Sequence, residues 1–223
     1  MKPVRGALCA LLCLASLPAF ALSEQSQQQL QQLQNRWAHI NYQLPAKQRE
    51  AAFASLSTDA QQLLDTEPKA AELLIWRGII LSTYAGAKGG LGALDLVKQA
   101  KTSLEQALQL DAKALDGSAY TSLGSLYYQV PGWPIGFGDD GKAEALLKQA
   151  LALNPNGIDP NYFYGDFLLR EKRYAEAKAA LEKAQQAPDR PGRALADQGR
   201  RLEIKALLEK LDGKLPRVSS TER

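Results

Sequence analysis

Thiols are nearly absent from this chain. Its only cysteines, Cys9 and Cys13, lie within the first 21 of 223 residues, so the remainder has no disulfide and no thiolate metal ligand. A domain of this size can bury enough apolar surface to fold without crosslinks. Histidine is as scarce. His39 stands alone beside Trp37, which leaves no second imidazole for a zinc site and no cysteine–histidine or serine–histidine–acid set to suggest nucleophilic catalysis. Asp139-Asp140 lacks the spaced acidic pattern of a calcium loop, and no glycine-rich stretch continues into Gly-Lys-Ser/Thr as a phosphate loop would. These gaps predict a protein that is not an enzyme and needs no cofactor or metal. Long runs of one charge are missing too. Only Arg190, Arg193, Arg200 and Arg201 cluster, so nucleic acid is not an expected partner.

One long apolar run is present, at the start. Lys2 and Arg5 precede the nearly uninterrupted apolar stretch Ala7–Leu17, and Pro18-Ala19-Phe20-Ala21 ends on small residues. Residues 1–21 read as a secretory signal peptide cleaved after Ala21, because the apolar core is short of the roughly 20 residues a membrane span wants. The expected location is therefore periplasmic or secreted, with no stable membrane span after cleavage. Without Lys2 and Arg5 the formal charge falls from +3 to +1, and most of the basic character goes with it.

What fills the rest is a repeated helical pattern. Gly78, Gly124 and Gly165 each precede an Ala–Leu–Ala set: Ala100/Leu104/Ala107, Ala143/Leu147/Ala150 and Ala177/Leu181/Ala184. Apolar residues recur at three- and four-residue steps on both sides of each glycine, which predicts pairs of amphipathic helices. The gap from glycine to first alanine shrinks from 22 to 19 to 12 residues, so the first two hairpins carry inserts. The first insert, Gly86–Gly92, is glycine-rich and predicts a break from about Ala85. The second, Val130–Gly141, holds two prolines and four glycines together with Trp133, Ile135 and Phe137, a composition that predicts a loop folded back to bury its aromatics.

The organisation expected around these repeats is a signal peptide at 1–21, a degenerate N-terminal hairpin at 22–68, repeats at 69–112, 113–155 and 156–189, a capping helix at 190–213 and a tail at 214–223. In the N-terminal hairpin, Leu30, Leu33, Trp37 and Ile40 form the apolar stripe of a Gln-rich helix, with the residues just after Ala21 expected to be disordered. Asp116 or Ser118 is expected to cap the helix that ends near Gln129, and Asp139 or Asp140 the one that follows the second insert. The last helix carries Leu195, Leu202, Ile204, Leu207, Leu208 and Leu211 and is expected to cap the end of the stack.

This pattern resembles the tetratricopeptide repeat family. Leu74/Arg77/Gly78/Leu81, Tyr120/Leu123/Gly124/Tyr127 and Asn161/Tyr164/Gly165/Leu168 occupy the family positions of the first helix, and the Ala–Leu–Ala sets those of the second. Arg77 at a leucine position and the two inserts are departures. The resemblance implies an all-α fold, an antiparallel helical-hairpin array forming a right-handed solenoid with one concave side. It also implies a scaffold that binds a protein or peptide in the cell envelope. Leu126–Pro134 and Gly136–Gly141 are in addition similar to inserts of exported repeat proteins that accompany binding-protein-dependent transporters. That likeness implies an alternative, a small-ligand-binding accessory component of a transport system.

The residues expected to meet a partner or ligand are Tyr128, Trp133, Ile135, Phe137, Asp139, Asn161 and Tyr162. Trp133, Ile135, Phe137 and Asp139 belong to the second insert, which with Gly86–Gly92 is expected to form neighbouring walls of one pocket or groove. Tyr128, Asn161 and Tyr162 belong to an aromatic and amide set for the concave side, to which Trp76 also contributes. An open groove there suits a protein partner, and a closed pocket suits a small ligand.

Overall fold

The computed structural model describes residues 22–214. The expected signal peptide and nearly all of the expected tail lie outside the described residues. Among the described residues nine helices follow one another with no strand: α1 (Glu24–Tyr42), α2 (Ala46–Thr66), α3 (Ala71–Lys88), α4 (Ala93–Leu110), α5 (Ala114–Gln129), α6 (Asp140–Leu153), α7 (Ile158–Arg170), α8 (Tyr174–Gln185) and α9 (Ala194–Asp212). The fold is an all-α array of antiparallel helical hairpins, with α1–α2, α3–α4, α5–α6 and α7–α8 as the pairs and α9 closing the series.

The repeat glycines are where paired helices approach each other. A Cβ at Gly78 would lie 2.6 Å from Leu104 Cγ, one at Gly124 2.9 Å from Leu147 Cγ, and one at Gly165 2.7 Å from Leu181 Cγ. The leucine of each Ala–Leu–Ala set thus sits in the space where a side chain would otherwise be, and the flanking alanines let the backbones close up. Leu104, Leu147 and Leu181 are fully buried as a result. Arg77 makes sense in the same terms. It stands beside Gly78 at the junction of three helices, and its guanidinium donates to Gln61 on α2 and to Ser103 (3.2 Å) on α4, tying the first hairpin to the second.

Several local expectations change. The start of α1 is ordered: Ser23 accepts from the Ser26 amide as N-cap, and Ser23 Oγ donates to Glu67 Oε1 at 2.7 Å, while Leu22 is buried. Helix α3 runs past Gly86 to Lys88, whose Nζ lies 3.1 Å from Glu50 Oε1, and the chain turns at Gly89 and Gly90, both at positive φ. At the start of α5 neither Asp116 nor Ser118 caps. Leu115, Asp116 and Gly117 instead take left-handed backbone angles (φ 48°, 55° and 77°), a conformation costing a non-glycine residue about 1–2 kcal/mol. Asp139 does cap α6, accepting from the Lys142 amide at 2.9 Å.

Helix α9 is more than a cover over the last repeat. One side packs on α7 and α8, and it also touches α1. Gly199 lies against the ring of Tyr42, Tyr42 Oη donates to Glu203 Oε2 at 3.4 Å, and Gln31 Nε2 donates to the Gly192 carbonyl at 3.1 Å. Leu202, expected on the apolar side, faces out. The two ends of the array meet, and its concave face becomes the inside of a ring.

Candidate functional site: a chamber inside the ring

The ring surrounds a cavity of about 680 Å3 that stays partly open to solvent. Its wall comes from α1, α3, α5, α7, α9 and the turns before α7 and α9, while α2, α4, α6 and α8 contribute nothing to it. The repeat register explains which residues face inward. Counted from the repeat glycine, the lining positions that the first two units share are two before, one after and five after it: Trp76, Ile79 and Thr83 on α3, then Ser122, Ser125 and Gln129 on α5. The third unit gives Phe163, again two before its glycine.

Three kinds of surface meet in this space. The α1–α3 side is aromatic. Trp37 and Trp76 pack edge to face with centroids 5.9 Å apart, and Trp37 Nε1 donates to Thr83 Oγ1 at 3.0 Å. Helix α5 contributes small hydroxyls, Ser118, Thr121, Ser122 and Ser125, where the neighbouring units carry large side chains. Thr121 is the most deeply buried of them, only 4% exposed. The strained pair Leu115 and Asp116 adjoins this stripe.

The α7–α9 side is ionic. Asp159 receives Arg190 Nη1 at 2.6 Å and Arg200 Nε at 2.9 Å; Arg190 also binds Asp197, and Arg200 binds Glu203. Burial alone would raise the Asp159 carboxyl, but Arg200 and Arg190 outweigh it and hold it at about 2. Burial raises the Glu203 carboxyl, with Arg200 pulling the other way. Arg193 is different. It lines the chamber with its guanidinium 4.7 Å from the Trp76 ring, and no carboxylate among the described residues lies within ion-pair distance of it. Burial and then the adjacent Arg190 charge lower it to about 10.

None of the seven residues expected to meet a ligand lines this chamber. Tyr128 is buried between α5 and α7, its hydroxyl donating to Asp166 Oδ2 at 2.8 Å, and burial holds that hydroxyl well above the ordinary tyrosine range. Asn161 is buried and spends its amide on the Pro155 and Gly157 carbonyls at 2.9 and 2.8 Å, locking the turn into α7. Tyr162 stands behind the wall, its ring 4.2 Å from the Arg200 guanidinium, and burial pushes its hydroxyl up to about 12. Asp139 serves α6 as its cap.

The second insert folds back through its backbone rather than its aromatics. The Asp139 amide donates to Tyr127 O at 2.9 Å and the Gly138 amide to Pro131 O at 3.0 Å. Phe137 packs edge-on against Tyr127 at 5.5 Å, but Trp133 is 89% and Ile135 61% exposed. The expectation of a buried Trp133 and Ile135 is therefore corrected. A short loop already closed by its main chain has room beneath it for one ring, and Phe137 takes that place. Neither insert borders the chamber. Of the aromatic set expected on the concave side, Trp76 alone reaches it. Aligning the three units on their glycines would have found the inward positions.

Fold and cavity together define a class: a helical-hairpin repeat protein whose ends meet around an internal chamber. Residues 136–198, from within the second insert into the first turns of α9, match the family model for the tetratricopeptide repeat. No curated protein is significantly similar to the chain. Solved structures that resemble it include MamA, at 23% identity over 75% of this chain and 92% of that one, with a TM-score of 0.43. Another is TTC0263, a thermophilic TPR protein in Thermus thermophilus, at 17% identity over 83% and 98% of the two chains, TM-score 0.44. A third is PilF of Pseudomonas aeruginosa, at 12% identity over 86% and 96%, TM-score 0.35. Among the described residues no helix is long and apolar enough to cross a membrane.

Proposed function

We propose that this protein is a non-enzymatic binding module of the bacterial cell envelope, exported to the periplasm, and that it takes a small ligand or a short chain end into the chamber. The observation that carries this reading is the contact of α9 with α1, which turns a concave groove into a cavity of about 680 Å3. That volume lies in the usual range of small-ligand sites, about 300–1,000 Å3. Its wall sets aromatic rings opposite a hydroxyl stripe and an ionic side, so a ligand held there would meet both apolar and polar groups. The export reading rests on the leader at 1–21.

Tetratricopeptide repeat proteins generally act as protein-interaction scaffolds, and a second reading keeps that role for the outer surface. Trp133, Ile135 and Leu91, the last 84% exposed, stand on the two inserts of successive hairpins. Exposed large apolar side chains of this kind suit a protein partner, an envelope protein or a component of a transport system. In this second reading the chamber holds the ligand and the inserts dock the module.

The test is native mass spectrometry of the protein purified gently from the envelope fraction, beside a Ser122→Trp variant that fills the chamber. A bound small mass present in the wild type and missing from the variant supports the reading. A wild type that carries no ligand and captures only protein, equally well with the chamber filled, overturns it in favour of a pure scaffold.

A further inference from the structure

Arg193 presents a cation into the chamber that the protein itself does not use. Its two neighbours Arg190 and Arg200 are each committed to two carboxylates. Arg193 donates no side-chain hydrogen bond and forms no ion pair with any described residue, yet it is held in place by the Trp76 face at 4.7 Å. A planar guanidinium stacked on an indole keeps its N–H edge free, and that edge matches a carboxylate in a two-point, charge-assisted contact. The charges around it are already matched. Asp159, Asp197 and Glu203 are bound by Arg190 and Arg200, and Asp116, the lining carboxylate without an ion pair, is exposed. An incoming anion would meet Arg193 without displacing a resident one.

The opposite wall is set by topology. The helices that line the ring touch in the order α1, α3, α5, α7, α9 and back to α1. Helix α5 touches neither α1 nor α9, so its hydroxyl stripe lies across the chamber from the seam where Arg193 sits. Thr121, almost wholly shielded from solvent, lines that wall with Ser118, Ser122 and Ser125. Between the two polar ends stand Trp76 and Ile79 on one side and Phe163 on the other.

Resting on the chamber reading above, we propose that Arg193 anchors the carboxylate of an organic acid whose apolar body lies between Trp76 and Phe163 and whose far end reaches the α5 hydroxyls. A free organic acid and the C-terminal carboxylate of a peptide share this chemistry. The site selects the anion and the apolar body together, because desolvating the guanidinium is offset only by a charged partner.

The experiment measures tryptophan fluorescence and thermal shift with a panel of aryl and alkyl monocarboxylates of four to ten carbons, each beside its methyl ester. Phe-terminated tetrapeptides, with free and amidated ends, are included. The proteins are the wild type, Arg193→Gln, Thr121→Val and the filled Ser122→Trp. Acids are expected to bind at least tenfold more tightly than their esters. Arg193→Gln, with an unchanged melting temperature in the absence of ligand, should abolish that preference. Thr121→Val should weaken only ligands with a hydrogen-bonding far end. Free and amidated peptides tell the two sources apart. If esters bind as well as acids, or if Arg193→Gln keeps the preference, the anchor proposal fails; loss of that binding in Ser122→Trp would leave the chamber reading standing. Binding by none of the panel, or binding that Ser122→Trp leaves intact, overturns both. If Arg193→Gln lowers the melting temperature, the acid–ester comparison in the wild type decides alone.

Discussion

Gly199 of the last helix lies flat against the ring of Tyr42 on the first, so close that a Cβ on the glycine would overlap the ring. This contact joins residues at opposite ends of the array, and Tyr42 continues it by hydrogen bonding to Glu203. Gly199→Val is therefore expected to wedge α1 from α9. Replacement of a helical glycine ordinarily stabilises, so a loss here would report the seam rather than the helix. Hydrogen exchange should rise in 24–42 and 194–212 while the α5–α6 hairpin stays protected, and any ligand held in the chamber should dissociate faster. Unchanged exchange in α1 would show that the seam does not depend on this contact.

Gly165 and Leu181 offer a cleaner measure of repeat packing. Gly165→Ala should destabilise by about 1–3 kcal/mol through overpacking. Leu181→Ala should cost about 2–5 kcal/mol through a cavity. The double variant should be less destabilised than the sum, because the added methyl occupies space the leucine vacates. Chemical denaturation of the four proteins checks this, and strict additivity would mean that the two side-chain positions do not compete.

Trp133 and Phe137 separate packing from docking within one loop. Trp133 is 89% exposed, so Trp133→Ala should change stability by no more than about 0.5 kcal/mol. Phe137 packs against Tyr127 and near Lys101 and is expected to cost more than Trp133 when truncated. If Trp133→Ala instead lowers the melting temperature as much as Phe137→Ala does, the indole is packed in solution. Loss of a partner from pull-downs at unchanged stability supports the docking reading of the inserts.

Asp159 gives the fold an acid sensitivity. Its folded-state carboxyl is held at about 2, below the usual value near 4, so the stability it contributes is complete above about pH 5 and is lost as the pH falls through 4 towards 2. The amount is on the order of 2–3 kcal/mol. Glu203, raised by burial, acts in the opposite sense: its cost is present at neutral pH and is relieved as the pH falls through its raised value. The stability difference between wild type and Asp159→Asn should shrink between pH 5 and 2. A difference that stays constant over that range would remove Asp159 as the titrating group.

Asn161 distinguishes a structural amide from a binding one. Losing both of its hydrogen bonds, to Pro155 and Gly157, should cost Asn161→Ala about 1–3 kcal/mol. Ligand affinity per folded molecule should not move. A stable variant with weakened binding would return Asn161 to the site.

The helices were legible because their determinants are local. Gly78, Gly124 and Gly165 and their Ala–Leu–Ala sets specify which faces of neighbouring helices approach, and a period of three to four residues is written within one helix. The positions that build the chamber were hidden by their chemistry: Trp76, Ser122 and Phe163 share one register place but no residue type. Tyr128 and Asn161 looked available because they are polar or amphipathic, and only tertiary contacts with Asp166 and with the Pro155 and Gly157 carbonyls show that their polar groups are spent.

By itself the sequence determined that this chain pairs helices into stacked hairpins, since close packing of a glycine over a leucine is a matter of spacing. Whether the stack stays an open groove or closes was decided by the tertiary structure. Tyr42 and Glu203 are 161 residues apart, and no periodicity encodes their meeting. It depends on the curvature accumulated over four hairpins, which carries α9 back onto α1, turns Trp37, Trp76 and Phe163 towards a common centre, and leaves Arg193 facing it.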